Sequence, residues 1–137
     1  MPAATYDFTT VLQRNLTNTP RGLDNVYIAT PIWVDSVAHP LVADSYKLMT
    51  ITAQTICLTG TLVVQTVEVA ADTIAVGDVT TNNRWLAATA INALGATSFT
   101  GAAIYYAAAD ELQITASAAI TAAKFWIGLV AQYLQTT

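Results

Sequence analysis

The chain has 137 residues, of which 54% are hydrophobic and only 10% charged, with five basic and nine acidic side chains and a net charge of −4. Its isoelectric point is about 4.5 and its mean hydropathy +0.47, whereas ordinary globular domains carry roughly 25% charged residues. The length suits one domain that buries roughly two-thirds of its unfolded surface.

An acidic balance with Arg14, Arg21, Lys47, Arg84 and Lys124 scattered along the chain excludes a nucleic-acid surface, which needs clustered cations. A membrane-spanning helix needs about 18–20 consecutive apolar residues. The longest candidate, from Ala122 to Leu134, is shorter and is interrupted by Lys124 and Gln132. Met1 to Phe8 has neither the basic cluster nor the apolar run of a signal peptide. An outer-membrane barrel is the weaker alternative, since its strands alternate over several matched segments. Neither nucleic acid nor membrane is expected as a partner. A free monomer keeps roughly a quarter to a third of its exterior charged, which this chain cannot do. Either neutral Thr, Asn and Gln cover the outside or partners do, and depletion of charge is the compositional mark of an interface.

Residues 1–25 are polar, carry Pro2 and Pro20, and read as an amino-terminal arm followed by a loop around Asn18-Thr19-Pro20 and Gly22. Tyr6 and Phe8 make the arm a candidate latch that orders on a neighbour. Residues 26–137 form the domain proper. Val26, Ile28, Thr30, Ile32 and Val34 alternate with Tyr27, Ala29, Pro31 and Trp33, the period of a strand. Pro31 cannot donate to a ladder, so this strand lies at an edge or breaks there. Asp35 to Asp44 reads as a loop. Tyr46 to Val69 is rich in Thr, Val and Ile, and Gly60 is expected to divide it into strands at 46–58 and 61–69. Asp72 to Val76 is a further short strand closed by Gly77-Asp78.

Between residues 82 and 101, Trp85, Leu86, Ala90 and Ile91 fit a short helix with Gly95 as its C-cap. Strands resume at Ala102–Ala107 and Glu111–Ala116. Lys124 to Leu134 carries the strongest alternation, with Phe125, Ile127, Leu129, Ala131 and Tyr133 on one face. Seven or eight short strands without long intervening helices predict an all-β sandwich or barrel.

Chemistry-bearing groups are sparse. His39, the sole histidine, lies between Ala38 and Pro40 without a nucleophile motif beside it, and a zinc site lacks ligands. Cys57, the single cysteine, sits between Ile56 and Leu58 and reads as a small buried hydrophobe. Asp110 and Glu111 point to opposite faces of a strand, which opposes paired-carboxylate catalysis. Asp72 and Asp78 flank a strand end, a weak arrangement for calcium. No catalytic residue, cofactor or metal is therefore assigned, and an enzyme is not expected. The aromatics carry more. Trp33 and Trp126 fall opposite the better aliphatic stripes and Trp85 lies in the irregular segment; core packing, anchors between subunits and platforms for sugars are the three readings.

Asp72-Thr73-Ile74-Ala75-Val76-Gly77-Asp78 followed by Trp85-Leu86-Ala87-Ala88 resembles small virion proteins of tailed bacteriophages. So do Tyr105-Tyr106-Ala107, Asp110-Glu111-Leu112-Gln113-Ile114 and Thr121-Ala122-Ala123-Lys124 ahead of an aromatic strand, with Ala123 where a turn glycine is expected. The resemblance spans roughly residues 60–134 and is one of spacing. It implies a capsid decoration, or cement, protein: a jelly-roll-like antiparallel β-sandwich with an extended amino-terminal arm and one short helical segment. Such a protein is a homo-oligomer, most often a trimer, that stabilises the outer capsid surface by binding the major capsid protein at subunit junctions. Tyr6, Phe8, Trp33, Trp85 and Trp126 are the interface residues this reading selects. A carbohydrate-binding sandwich on a fibre or tail, using the tryptophans as platforms, is the alternative.

Overall fold

The computed structural model describes residues 26–28, 31–42 and 45–133, and their regular structure is entirely β. The strands are β1 (Val26–Ile28), β2 (Ile32–Asp35), β3 (Ser45–Ile51), β4 (Thr55–Thr66), β5 (Thr73–Gly77), β6 (Leu86–Ala90), β7 (Gly95–Ser98), β8 (Ile104–Tyr106), β9 (Asp110–Ala116) and β10 (Lys124–Tyr133). They form two antiparallel sheets. In the first, β10 lies against β4, with β1 and β2 following each other along the free side of β10 and β7 and β8 along the free side of β4. The second runs β3-β9-β5-β6. Taking each broken pair as one row gives two four-row sheets. Apart from the β5–β6 link, each connection between rows passes from one sheet to the other, which closes the two sheets as a β-sandwich.

Pro31 marks the break between β1 and β2, on the edge position that its missing N–H requires. Inward residues alternate as anticipated: Phe125, Ile127, Leu129 and Ala131 of β10 meet Leu112, Ile114 and Ala116 of β9 and Ile74 and Val76 of β5 in one buried core. Two of the four register shifts adjust the alternation in the core. One, between Lys47 and Met49, turns both Leu48 and Met49 inward. The other, opposite Val130 and Ala131, lets Cys57 and Gly60 both face the core although three residues apart.

Two expectations need correction. Gly60 does not divide two strands; it lies inside β4, where an added Cβ would sit 2.3 Å from the Phe99 ring and 2.5 Å from the Gly128 carbonyl. The glycine gives Phe99 room in the core. The turn falls instead at Ala53-Gln54, where Gln54 adopts φ 63° without the glycine that usually signals such a turn. The short helix around Trp85 to Ile91 is absent, and its residues build β6. There Leu86 pairs with Val76 and Thr89 with Ile74, and Gly95, at φ 144°, opens β7 rather than capping a helix. Alanine's helical preference amounts to tenths of a kcal/mol per residue; ladder bonds to β5 and burial of Trp85, Leu86 and Ile91 outweigh it. The amino-terminal arm, with Tyr6 and Phe8, lies outside the described residues.

Candidate interaction surface

Residues of β10 that point away from the core build the most distinctive surface of the molecule. Trp126 stands directly opposite Trp33 of β2 on one side and Val63 of β4 on the other, and Val63 stands opposite Ala96 of β7. The two indole centroids are 4.7 Å apart at 46°, a cross-strand aromatic contact of the kind that stabilises sheets. Both rings remain partly exposed. In the next row Gly128 faces Thr61, and Thr61 faces Ser98. With no side chain at Gly128, the sheet surface dips there into a groove of about 410 Å³ lined by Pro31, Thr61, Val63, Trp126 and Gly128. Nothing in the described chain requires that dip. A Cβ on Gly128 would meet only the Pro31 ring, at 4.0 Å.

One corner of this face is ionic. The Lys124 Nζ lies 3.2 Å from Asp35 Oδ2, while Asp35 Oδ1 accepts the Val37 and Ala38 N–H groups at 3.0 and 3.2 Å. Desolvation works against ionisation of Asp35, but the Ala38 N–H, Lys124 and the Val37 N–H outweigh it and hold the carboxyl below its ordinary range. Away from that pair the face is apolar or hydroxylic. His39 is exposed on the loop that follows, at the rim of a cavity of about 320 Å³ between β2 and β3 that is floored by Leu41, Leu48 and Ile114.

Trp85 belongs elsewhere. It is fully buried, and its Nε1 donates to Tyr106 Oη at 3.3 Å. Tyr106 Oη in turn donates to Asp78 Oδ2 at 2.8 Å, and Arg84 Nε pairs with the same oxygen at 2.5 Å. Oδ1 of Asp78 accepts the Thr80 and Thr81 N–H groups. Trp85 therefore has no surface to offer a partner, and Asp78 spends its oxygens on Arg84, Tyr106 and backbone donors of this chain. Burial first, then the hydrogen bond to Asp78, pushes the Tyr106 hydroxyl pKa upward. Cys57 sits in the core, where burial, aided by the charge on Asp78, raises its thiol to about 12, so it packs as a hydrophobe. Among the described residues no three His, Cys, Asp or Glu side chains gather as metal ligands.

A second structural device escaped the sequence reading. Glu68, 6% exposed, accepts three consecutive backbone N–H groups on Oε2, from Thr121, Ala122 and Ala123 at 3.1, 2.9 and 3.1 Å. Desolvation opposes its ionisation, yet the Ala122, Ala123 and Thr121 N–H groups prevail and lower its pKa. This carboxylate ties the β4–β5 crossover to the β9–β10 crossover, so it fixes both sheets at one end. No local pattern announces a contact across more than fifty residues.

No protein-family model matches the sequence, and no curated protein matches it. Three solved structures share the fold. A chain of the structure titled "Capsid of Ralstonia phage GP4" superposes with a TM-score of 0.67 at 14% identity, covering 97% of this chain and 100% of that one. A chain of "Cyanophage Pam1 capsid asymmetric unit" gives 0.64 at 15% identity, over 85% and 91% of the two chains. A chain from the acid-stable capsid of Helicobacter pylori bacteriophage KHP30 gives 0.55 at 12%, over 80% and 93%.

Proposed function

We propose that this protein is a structural component of a phage virion that decorates the outer capsid surface, binding the major capsid protein at subunit junctions as a homo-oligomer, with a trimer as the favoured state. The observation that carries the reading is the end-to-end correspondence of fold with a chain of nearly equal length in the GP4 capsid. The surface agrees with it. Trp33, Trp126 and Val63 are spaced as anchors for a partner, and the groove over Gly128 is open to receive an apolar side chain. The sugar-platform alternative gains less from the geometry, because the two indoles lean on each other at 46° instead of presenting parallel open faces.

The test uses capsids assembled without this chain. Purified protein should cosediment with them and occupy repeated positions on the outside by cryo-electron microscopy. Gly128→Leu fills the groove with a residue that a strand accepts, so folding should be retained while occupancy is lost. Wild-type protein that leaves such capsids bare would overturn the reading.

A further inference from the structure

The two flanks of the sandwich, where the edge strands of the sheets come together, differ in how they are protected. An edge strand offers unpaired N–H and C=O groups to any extended chain, and monomeric proteins guard such edges with charges, prolines or short irregular segments. The flank formed by β2 and β3 is guarded in this way. It carries Pro31, Asp35, His39, Pro40 and Lys47. The opposite flank is also made of short strands, but it carries no charge, histidine or proline. There, among the described residues, β6 pairs only with β5, and β7 and β8 pair only with β4. The two edges meet where the Thr100 and Gly101 N–H groups donate to the Trp85 carbonyl at 3.0 and 3.1 Å. From Trp85 to Ala109 the sequence holds no charged residue, no histidine and no proline.

Small side chains make this flank flat. Ala87, Ala88 and Ala90 of β6 are exposed, as is every residue of β7. Leu94, in the turn that joins them, is 69% exposed. We infer that the flank of β6, the Leu94 turn and β7 is the seam at which a second copy of this chain joins edge to edge. Two features select a second copy over an unrelated partner. An edge that carries no charge of either sign repels nothing identical to itself, and it offers a charged partner no complement. Each copy also supplies two such edges, so that β6 of one copy pairs with β7 of the next, the head-to-tail contact that closes a ring such as the proposed trimer. The inference deepens the proposed function by locating the contact between subunits, and it rests on that reading for the biological setting alone.

Sedimentation velocity and light scattering across a concentration series test it. The probes are wild type, Leu94→Lys and Thr97→Lys on the seam, and Val37→Lys, a 58% exposed site on the guarded flank. Wild type and Val37→Lys should assemble alike, whereas the seam variants should weaken assembly at least tenfold while keeping the wild-type circular dichroism. A wild-type protein that stays monomeric at high concentration, seam variants that assemble normally, or equal loss in Val37→Lys would overturn the inference. Capsid occupancy separates it from the functional reading. A monomer that still coats capsids sinks the seam alone, and an assembly broken by Leu94→Lys that ignores capsids sinks the virion role alone.

Discussion

Across the outer face of the first sheet run Trp33, Trp126, Val63 and Ala96, then Gly128, Thr61 and Ser98, with a single ion pair at one corner. The outer face of the second sheet is built from the same kind of strands and reads differently. Lys47 pairs with Glu111 at 3.4 Å, Gln113 donates to Glu111 at 3.0 Å, and Ser45 and Thr115 share a hydrogen bond of 3.0 Å. On the second face polar groups satisfy one another and meet water. On the first, large apolar groups surround an unfilled dip. Both faces are equally good at closing a sandwich, so the difference is not demanded by folding. It is the reason the proposed function puts the partner on the first face.

The most damaging way to break that contrast is Trp126→Asp. Truncating a buried aromatic anchor costs about 2–4 kcal/mol of binding, or roughly 30- to 1000-fold. Capsid cosedimentation should therefore collapse, whereas Gln113→Glu on the second face should bind as wild type does. Equal effects from the two substitutions would erase the distinction between the faces.

Next in size is Glu68→Ala. The contrast presupposes two sheets held in one relation, and this change strips three N–H groups of their charged acceptor. A loss of about 2–3 kcal/mol in urea unfolding follows, and an unchanged midpoint would show that the crossovers hold without it.

Acid gives a smaller and graded version of the same test. The carboxyls of Glu68 and Asp35 are both depressed in the folded protein. Their stabilising contribution is thus complete above the unfolded values of about 4 and is lost as the pH falls through the lower folded ones. The urea midpoint should drop on going from pH 6 to pH 3, and Glu68→Gln should flatten that drop. The smallest effect belongs to the second face. Lys47 and Glu111 are partly exposed, and a double-mutant cycle should give a coupling of about 0.2–1 kcal/mol that fades with added salt. A larger value would mean that this face is also buried by a partner.

Much of this was legible in the residues. The alternation of Lys124 to Tyr133 marks β10 and its inward face, Pro31 marks a broken edge, and Cys57 reads as core, because each depends on side-chain period or backbone chemistry alone. Trp33 and Trp126 were placed on the right side of their strands for the same reason. That they touch each other depends on register, which no local pattern carries. Gly60 misled because a glycine beneath an aromatic ring and a glycine at a turn are the same letter. Residues 86–91 misled because alanine favours a helix only until a neighbouring strand offers its edge. Trp85 was grouped with the other tryptophans since composition cannot distinguish an indole that plugs the core from one that lies on the outside.

What the amino-acid order determined by itself is therefore a class and a shortage: short alternating strands that close as a sandwich or barrel, and so little charge that either neutral polar side chains or partners must cover the outside. Periodicity and charge are properties of neighbours along the chain, and they survive any arrangement of the strands. Only the tertiary structure decided which faces became dry, that Glu68 would grip a loop more than fifty residues away, and that the uncharged stretch from Trp85 to Ala109 would lie along one flank. Those outcomes depend on which strand pairs with which, and that pairing is selected by the whole core at once.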